Sequence, residues 1–243
     1  MPSGPTPVRT HSPDVTLFVA ATPRGPARAP PARGGTPSKK GDVEIGFTPS
    51  GFRVNGRVLT TNQPLASVLP AAHPDTRLVF AADRADPWSL ISAHWDEARQ
   101  GGFARLGLLG QLADGRYSVV EFRVALPTVH FGTVVGMASD GFHVGPPRPD
   151  FPICSIHDSK PTVALLKPGS EPSDHERWDF DGLREELERS DGHRSNVALV
   201  VPDDVRVRDV LSLVEHVRSS LCAANAGSEC NPAFAFVRVC DAP

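Results

Sequence analysis

The stretch FAADRADPWSLI, residues 80–91, decides the fold. An apolar run stops, charges follow at Asp83, Arg84 and Asp86, and Pro87 restarts the chain. The stretch is either a charged catalytic loop or the seam between a strand and a helix. Its flanks favour the seam. TRLVFAA, residues 76–82, is a short apolar run of strand length. After it, Trp88, Ile91, Trp95 and Ala98 recur at i, i+3, i+7 and i+10, which is one helical face. Asp86 is placed as the N-cap and Pro87 at the first helical position, with Gly101 and Gly102 closing the helix. A strand, ARLGLLG, residues 104–110, comes next.

Upstream, the period changes from helical to alternating. In DVEIGFTPSGFRVNGRVL, residues 42–59, Val43, Ile45 and Phe47 share one side. Phe52, Val54 and Val58 follow around an Asn55-Gly56 turn, a hairpin signal. NQPLASVLPAAHP, residues 62–74, reads as a helix capped by Asn62 with Pro64 in its first turn. The resulting series is strand, strand, helix, strand, helix, strand, an α+β layer with helices on one face of a mixed sheet.

The second half repeats this plan. VVGMASDGFHVGP, residues 134–146, echoes EIGFTPSGFRVNG, residues 44–56, at an offset of 90, pairing Gly46 with Gly136, Phe52 with Phe142 and Val54 with Val144. VVPDDVRVRDVL, residues 200–211, echoes the opening stretch at an offset of 120, pairing Asp83 with Asp203. The larger offset places an insertion at residues 148–177. Helices FDGLREELERS and VRDVLSLVEHVRSS and strands NVALVV and AFAFVRV complete the repeat. The expected organisation is a tail at 1–40, one copy at 41–126 and a second at 127–243 with the 148–177 loop insertion.

The tail is read from composition. Residues 22–40, TPRGPARAPPARGGTPSKK, hold no acidic residue and too little apolar surface to offset the entropy of ordering them. Residues 1–40 carry six Lys/Arg against Asp14 alone, net +5, so the chain's −3 leaves −8 on residues 41–243. An acidic body argues against nucleic acid as a partner. The longest apolar run near the start, Val15 to Ala21, is too short to span a bilayer or form most signal-peptide cores. The chain as written is therefore expected to carry neither anchor nor export signal.

The search for catalytic chemistry returns little. GxSxG, a Walker loop, GxGxxG after a strand and HExxH are all missing. HDSK, residues 157–160, sets three triad residue types side by side, whereas a triad assembles from residues distant in sequence. His94 with Asp96 and Glu97, and Glu215 with His216, read as solvated helix faces. Asp203-Asp204 reads as helix capping. No cofactor, metal site or catalytic residue is expected. Trp88 and Trp95 either face a ligand such as a carbohydrate or pack their helix on the sheet. Val207, Val210, Leu211, Val214 and Val217 in the equivalent second helix favour packing. Cys154, Cys222, Cys230 and Cys240 all lie in the second half without metal-ligand spacing. They are candidates for one or two disulfides, or for inert buried thiols. Cys222 with Cys230, leaving Cys154 with Cys240, is one arrangement.

The run from Phe52 to Leu109 resembles the periplasmic domain of the ExbD/TolR family. The resemblance rests on the Asn55-Gly56 turn, Ala82-Asp83-Arg84, Asp86-Pro87-Trp88 and the stretch from Ala98 to Gly101, and extends faintly over residues 178–239. It implies a non-enzymatic envelope protein, scaffold or accessory of a proton-driven biopolymer transport motor. Its implied partners are an ExbB/TolQ-like membrane subunit or a second copy of itself, with peptidoglycan as a further contact. The periplasmic side of the inner membrane would be its place, the cytoplasm being the alternative. Two departures stand out: the family's N-terminal membrane helix has no counterpart in this sequence, and the unit is duplicated. A free-standing peptidoglycan- or glycan-binding module is the alternative function, and a hydrolase a more distant one.

Overall fold

A computed structural model gives the fold and describes residues 41–48, 51–55, 57–60, 64–73, 75–111, 117–124, 132–146, 160–167, 174–189, 196–223 and 233–237. The tail at 1–40, His157, Asp158 and Ser159 of the HDSK stretch, and the boundary at 126/127 lie outside them. The chain is α+β, and the described residues form eleven strands in one mixed sheet. In chain order these are β1 (Val43–Thr48), β2 (Gly51–Val54), β3 (Arg57–Thr60), β4 (Arg77–Ala81), β5 (Arg105–Gln111) and β6 (Tyr117–Val124). Then come β7 (Thr133–Ala138), β8 (Gly141–Gly145), β9 (Val163–Ala164), β10 (Asn196–Val200) and β11 (Ala233–Val237). Helix α1 (Ser89–Gln100) follows β4, α2 (Phe180–Arg189) follows β9, and α3 (Val207–Ala223) follows β10.

Across the sheet the order is β3-β2-β1-β4-β5-β6-β11-β10-β7-β8-β9. Read inward from either edge it is the same: a short edge strand, an antiparallel hairpin, then two parallel strands joined through a helix. β6 bridges the halves, antiparallel to β5 and parallel to β11. The registers agree as well. Ile45 faces Val54 and Phe47 faces Phe52 in the first hairpin, while Val135 faces Val144 and Met137 faces Phe142 in the second, an offset of 90 throughout.

At the next strand the expected offset of 120 is corrected to 119, because Ile45 pairs with Phe80 whereas Val135 pairs with Leu199. The corrected offset brings Trp88, Ile91, Trp95 and Ala98 onto Val207, Val210, Val214 and Val217, so the buried stripes of α1 and α3 coincide position by position. The 148–177 insertion is also corrected in part. Its described residues include β9, which pairs with β8 as β3 pairs with β2, and a 3₁₀ turn at His175–Arg177. In the first half the expected helix after Asn62 is only a 3₁₀ turn, Leu65–Ser67, whose N-cap is Pro64 and which has no side-chain cap. Asn62 lies outside the described residues.

Two backbone positions explain the turns. Asn55 adopts φ 48 between the paired residues Val54 and Arg57, the left-handed geometry that a two-residue hairpin needs. Gly102 adopts φ +87 as α1 ends. Its N–H donates to the Arg99 carbonyl and the N–H of Phe103 to that of Ala98, the paired bonds of a Schellman cap. Gly102→Ala is expected to cost about 1 kcal/mol, measured by urea unfolding, since a Cβ is strained at this φ.

One core joins the two halves. Trp95 packs 5.8 Å from Phe80 and 5.5 Å from Phe122, and Phe122 meets Phe234 of β11 at 6.2 Å, edge on. Strand alternation puts Arg77, Arg105 and Glu121 on the other face of the sheet. There Arg77, 1% exposed, holds Asp42 at 2.5 Å and Glu121 at 3.4 Å, and Arg105 forks onto both Glu121 oxygens at 2.7 and 2.8 Å. Burial resists ionisation of Glu121, but the Arg105 hydrogen bond and the charges of Arg105 and Arg77 outweigh it, so its pKa falls below the ordinary 4.5. Glu121 therefore contributes stability that is present above the unfolded-state pKa and lost as pH falls through the lower folded value. Unfolding midpoints are expected to drop below about pH 4.5, and Glu121→Gln is expected to flatten that acid limb.

Candidate functional site

The opening stretch is a seam in the structure, and it meets its own counterpart. The Trp88 N–H donates to the Val205 carbonyl at 2.7 Å, and the Val207 N–H to that of Asp86 at 3.0 Å. The Ser89 N–H donates to Asp203 at 3.0 Å, and the Arg208 N–H to Arg84 at 3.3 Å. Each bond in a pair maps onto the other by adding 119 to one partner and subtracting it from the other. Pro87 and Arg206, themselves 119 apart, face each other at the centre. Side chains reinforce the joint: the Ser92 hydroxyl donates to Asp203 at 2.9 Å, and Arg206 donates to the Ala85 carbonyl at 2.8 Å.

This geometry corrects the expected cap. Helix α1 starts at Ser89 with Trp88 at its N-cap position and no side-chain cap. Asp86 turns back instead and accepts from the Asp83 N–H at 2.9 Å, while Asp83 accepts from Ala85 at 2.9 Å. The acidic residues thus shape a turn whose outward backbone groups serve the opposite seam.

The candidate ligand-facing tryptophans are in the core. Trp88 is 2% and Trp95 3% exposed, their rings 6.1 Å apart, so neither presents a face to a glycan. The helix residues read as solvated differ too. Glu215 and His216 are buried, and the His216 ring stacks on Phe180 at 4.8 Å with its Nδ1 2.7 Å from the Ser212 carbonyl. His94 lies between Phe47 and Phe52, 3.4 Å from Glu97, which accepts from the Leu65 N–H at 2.8 Å and so ties the first 3₁₀ turn to α1. The i, i+3 and i, i+4 neighbours settle these positions where the adjacent residues do not.

Sequence reasoning missed one polar pair. His175 Nδ1 hydrogen-bonds Asp209 Oδ1 at the first turn of α3, where Asp209 is fully buried and Arg208 Nε lies 3.6 Å away. An aspartate so placed reads as dipole compensation, and nothing local ties it to a histidine 34 residues earlier. The pair ties the 3₁₀ turn at His175 to the first turn of α3. Arg218 donates to the Glu121 backbone carbonyl across the halves, and burial lowers its pKa against the opposing pull of Glu215 and Glu121.

Cys222, in the last turn of α3, is disulfide-bonded, and its partner lies outside the described residues, as do Cys154, Cys230 and Cys240. Among the described residues no cluster of His, Cys, Asp and Glu is arranged to hold a metal ion, and no helix is long and apolar enough to cross a membrane. Comparison with protein-family models, curated proteins and solved structures finds no match. The seam-to-seam junction, four backbone hydrogen bonds between the two stretches, is the candidate functional feature.

Proposed function

We propose that the chain is a tandem pair of ExbD/TolR-like units acting as a non-enzymatic scaffold or accessory subunit of a proton-driven envelope motor. The observation that carries this reading is the reciprocal junction, four backbone hydrogen bonds related by one constant offset of 119. Units that dimerise between chains in the family would here be fused, so that the dimer forms within one molecule. The strand order, the same from both edges, and the hairpin registers support it. A fused pair presents a two-fold-like surface to a membrane subunit at fixed stoichiometry. The buried tryptophans count against the glycan-module alternative in the form that uses Trp88 and Trp95.

The test is affinity isolation of the tagged full chain from native membranes in mild detergent, with partners identified by mass spectrometry. Enrichment of an ExbB/TolQ-like polytopic subunit is the expected outcome. Recovery of soluble proteins alone would remove the envelope role.

A further inference from the structure

The 3₁₀ turn His175–Arg177 holds an unusual cation. Arg177 is 6% exposed, yet among the described residues its side chain has no hydrogen bond and no carboxylate within ion-pair distance, and its Nε is buried without a partner. Buried guanidinium groups are ordinarily paired, because an uncompensated buried charge is costly. Its guanidinium lies 4.5 Å over the face of the Trp178 ring. The indole N–H of Trp178, itself 3% exposed, is likewise buried without an acceptor.

The acids of the turn are engaged with other groups, and Asp209 is held through Oδ1 while its Oδ2 is buried without a partner among the described residues. Asp174 accepts from the Glu176 N–H at 3.0 Å, Lys167 bridges Asp174 and Glu176, and Asp209 is held by His175 with Arg208 nearby. The Arg177 carbonyl accepts from the Leu166 N–H at 2.8 Å, and Trp178 packs on Phe142 at 5.2 Å, which pins the turn against β8. Two donors on adjacent residues, one of them charged, are thus left without an acceptor among the described residues.

We propose that Arg177 and Trp178 form a binding site for a small oxyanion, a carboxylate or phosphate group carried by a ligand of the second half. A planar guanidinium and an indole N–H are both donors suited to such a group. This site is independent of the motor assignment, since it rests on unsatisfied donors and on no part of the junction.

The chain has three tryptophans, so its indole N–H signals report the site directly in a ¹H–¹⁵N spectrum of the full protein. Titration with inorganic phosphate and, separately, acetate is expected to shift the Trp178 indole signal saturably while Trp88 and Trp95 stay still. Arg177→Gln is expected to weaken that binding at least tenfold. Saturation by phosphate alone assigns the site to phosphorylated ligands, by acetate alone to carboxylates, and by both to oxyanions in general. No saturable shift of Trp178 in the wild-type protein with either anion would overturn the proposal, whatever the variant does. An undiminished shift in a folded Arg177→Gln protein would overturn it equally.

Discussion

Gly141→Ala is expected to destabilise the protein by roughly 3 kcal/mol, lowering Tm by about 6–12 °C, and to release the edge strand β9. Gly141 opens β8 with φ +146, and a Cβ there would lie 2.1 Å from the Val163 carbonyl oxygen and 3.0 Å from Ala164 Cα. Both neighbours are backbone atoms of β9, so no side-chain rotation relieves the overlap. The strand must move or unpair. Gly145, at the other end of β8, is the internal control: nothing lies within 4 Å of its hypothetical Cβ. Gly145→Ala should change stability by less than about 0.5 kcal/mol. Urea unfolding of both variants, with hydrogen exchange over residues 160–167, checks the contrast. Equal effects would mean that β9 does not pack on Gly141 as described.

Arg77→Met is expected to cost about 3–5 kcal/mol, because it leaves Asp42 and Glu121 beside buried sheet surface with one cation fewer. Arg105 still holds Glu121, but Asp42 loses the bond that keeps its carboxylate 8% exposed. Removing the charges together should undo much of the damage. Arg77→Met combined with Asp42→Asn and Glu121→Gln is expected to recover more than half of the loss, since an apolar replacement of a buried network is often close to neutral. Chemical denaturation of the single, double and triple variants measures the coupling directly. A triple variant as unstable as the sum of its parts would show that these side chains act through packing alone.

Local patterning carried most of the architecture. The period-2 run from Val43, the Asn55-Gly56 turn and the stripe Trp88, Ile91, Trp95, Ala98 each name an element through nearest-neighbour chemistry, and the α+β class follows. What resisted reading was set by distant partners. Asp86 has every local attribute of an N-cap, yet it turns back to Asp83 because the helix start is occupied by the opposite seam. β9 is two residues long, and its pairing with β8 is invisible without the fold. The offset of 120 aligned Asp83 with Asp203 by residue type, while strand register, which is fixed by which side chains reach the core, chose 119. The buried His175–Asp209 pair and the unpaired Arg177 were hidden for the same reason, since burial of a charged residue is a tertiary property. The tryptophan stripe, by contrast, favoured core over ligand from sequence alone, and burial agrees.

The proposed function rests on the two halves pairing through their seams as one folded unit. Amide hydrogen exchange at Trp88, Ser89, Val207 and Arg208 of the full chain, read residue by residue by NMR, tests that most directly. The account predicts that all four amides are protected to within about tenfold of one another, and as strongly as the central strands β4 and β10, because opening either seam breaks both. Four amides that exchange at near-unprotected rates while β4 and β10 stay protected would contradict it, leaving two halves that share a sheet but no reciprocal joint.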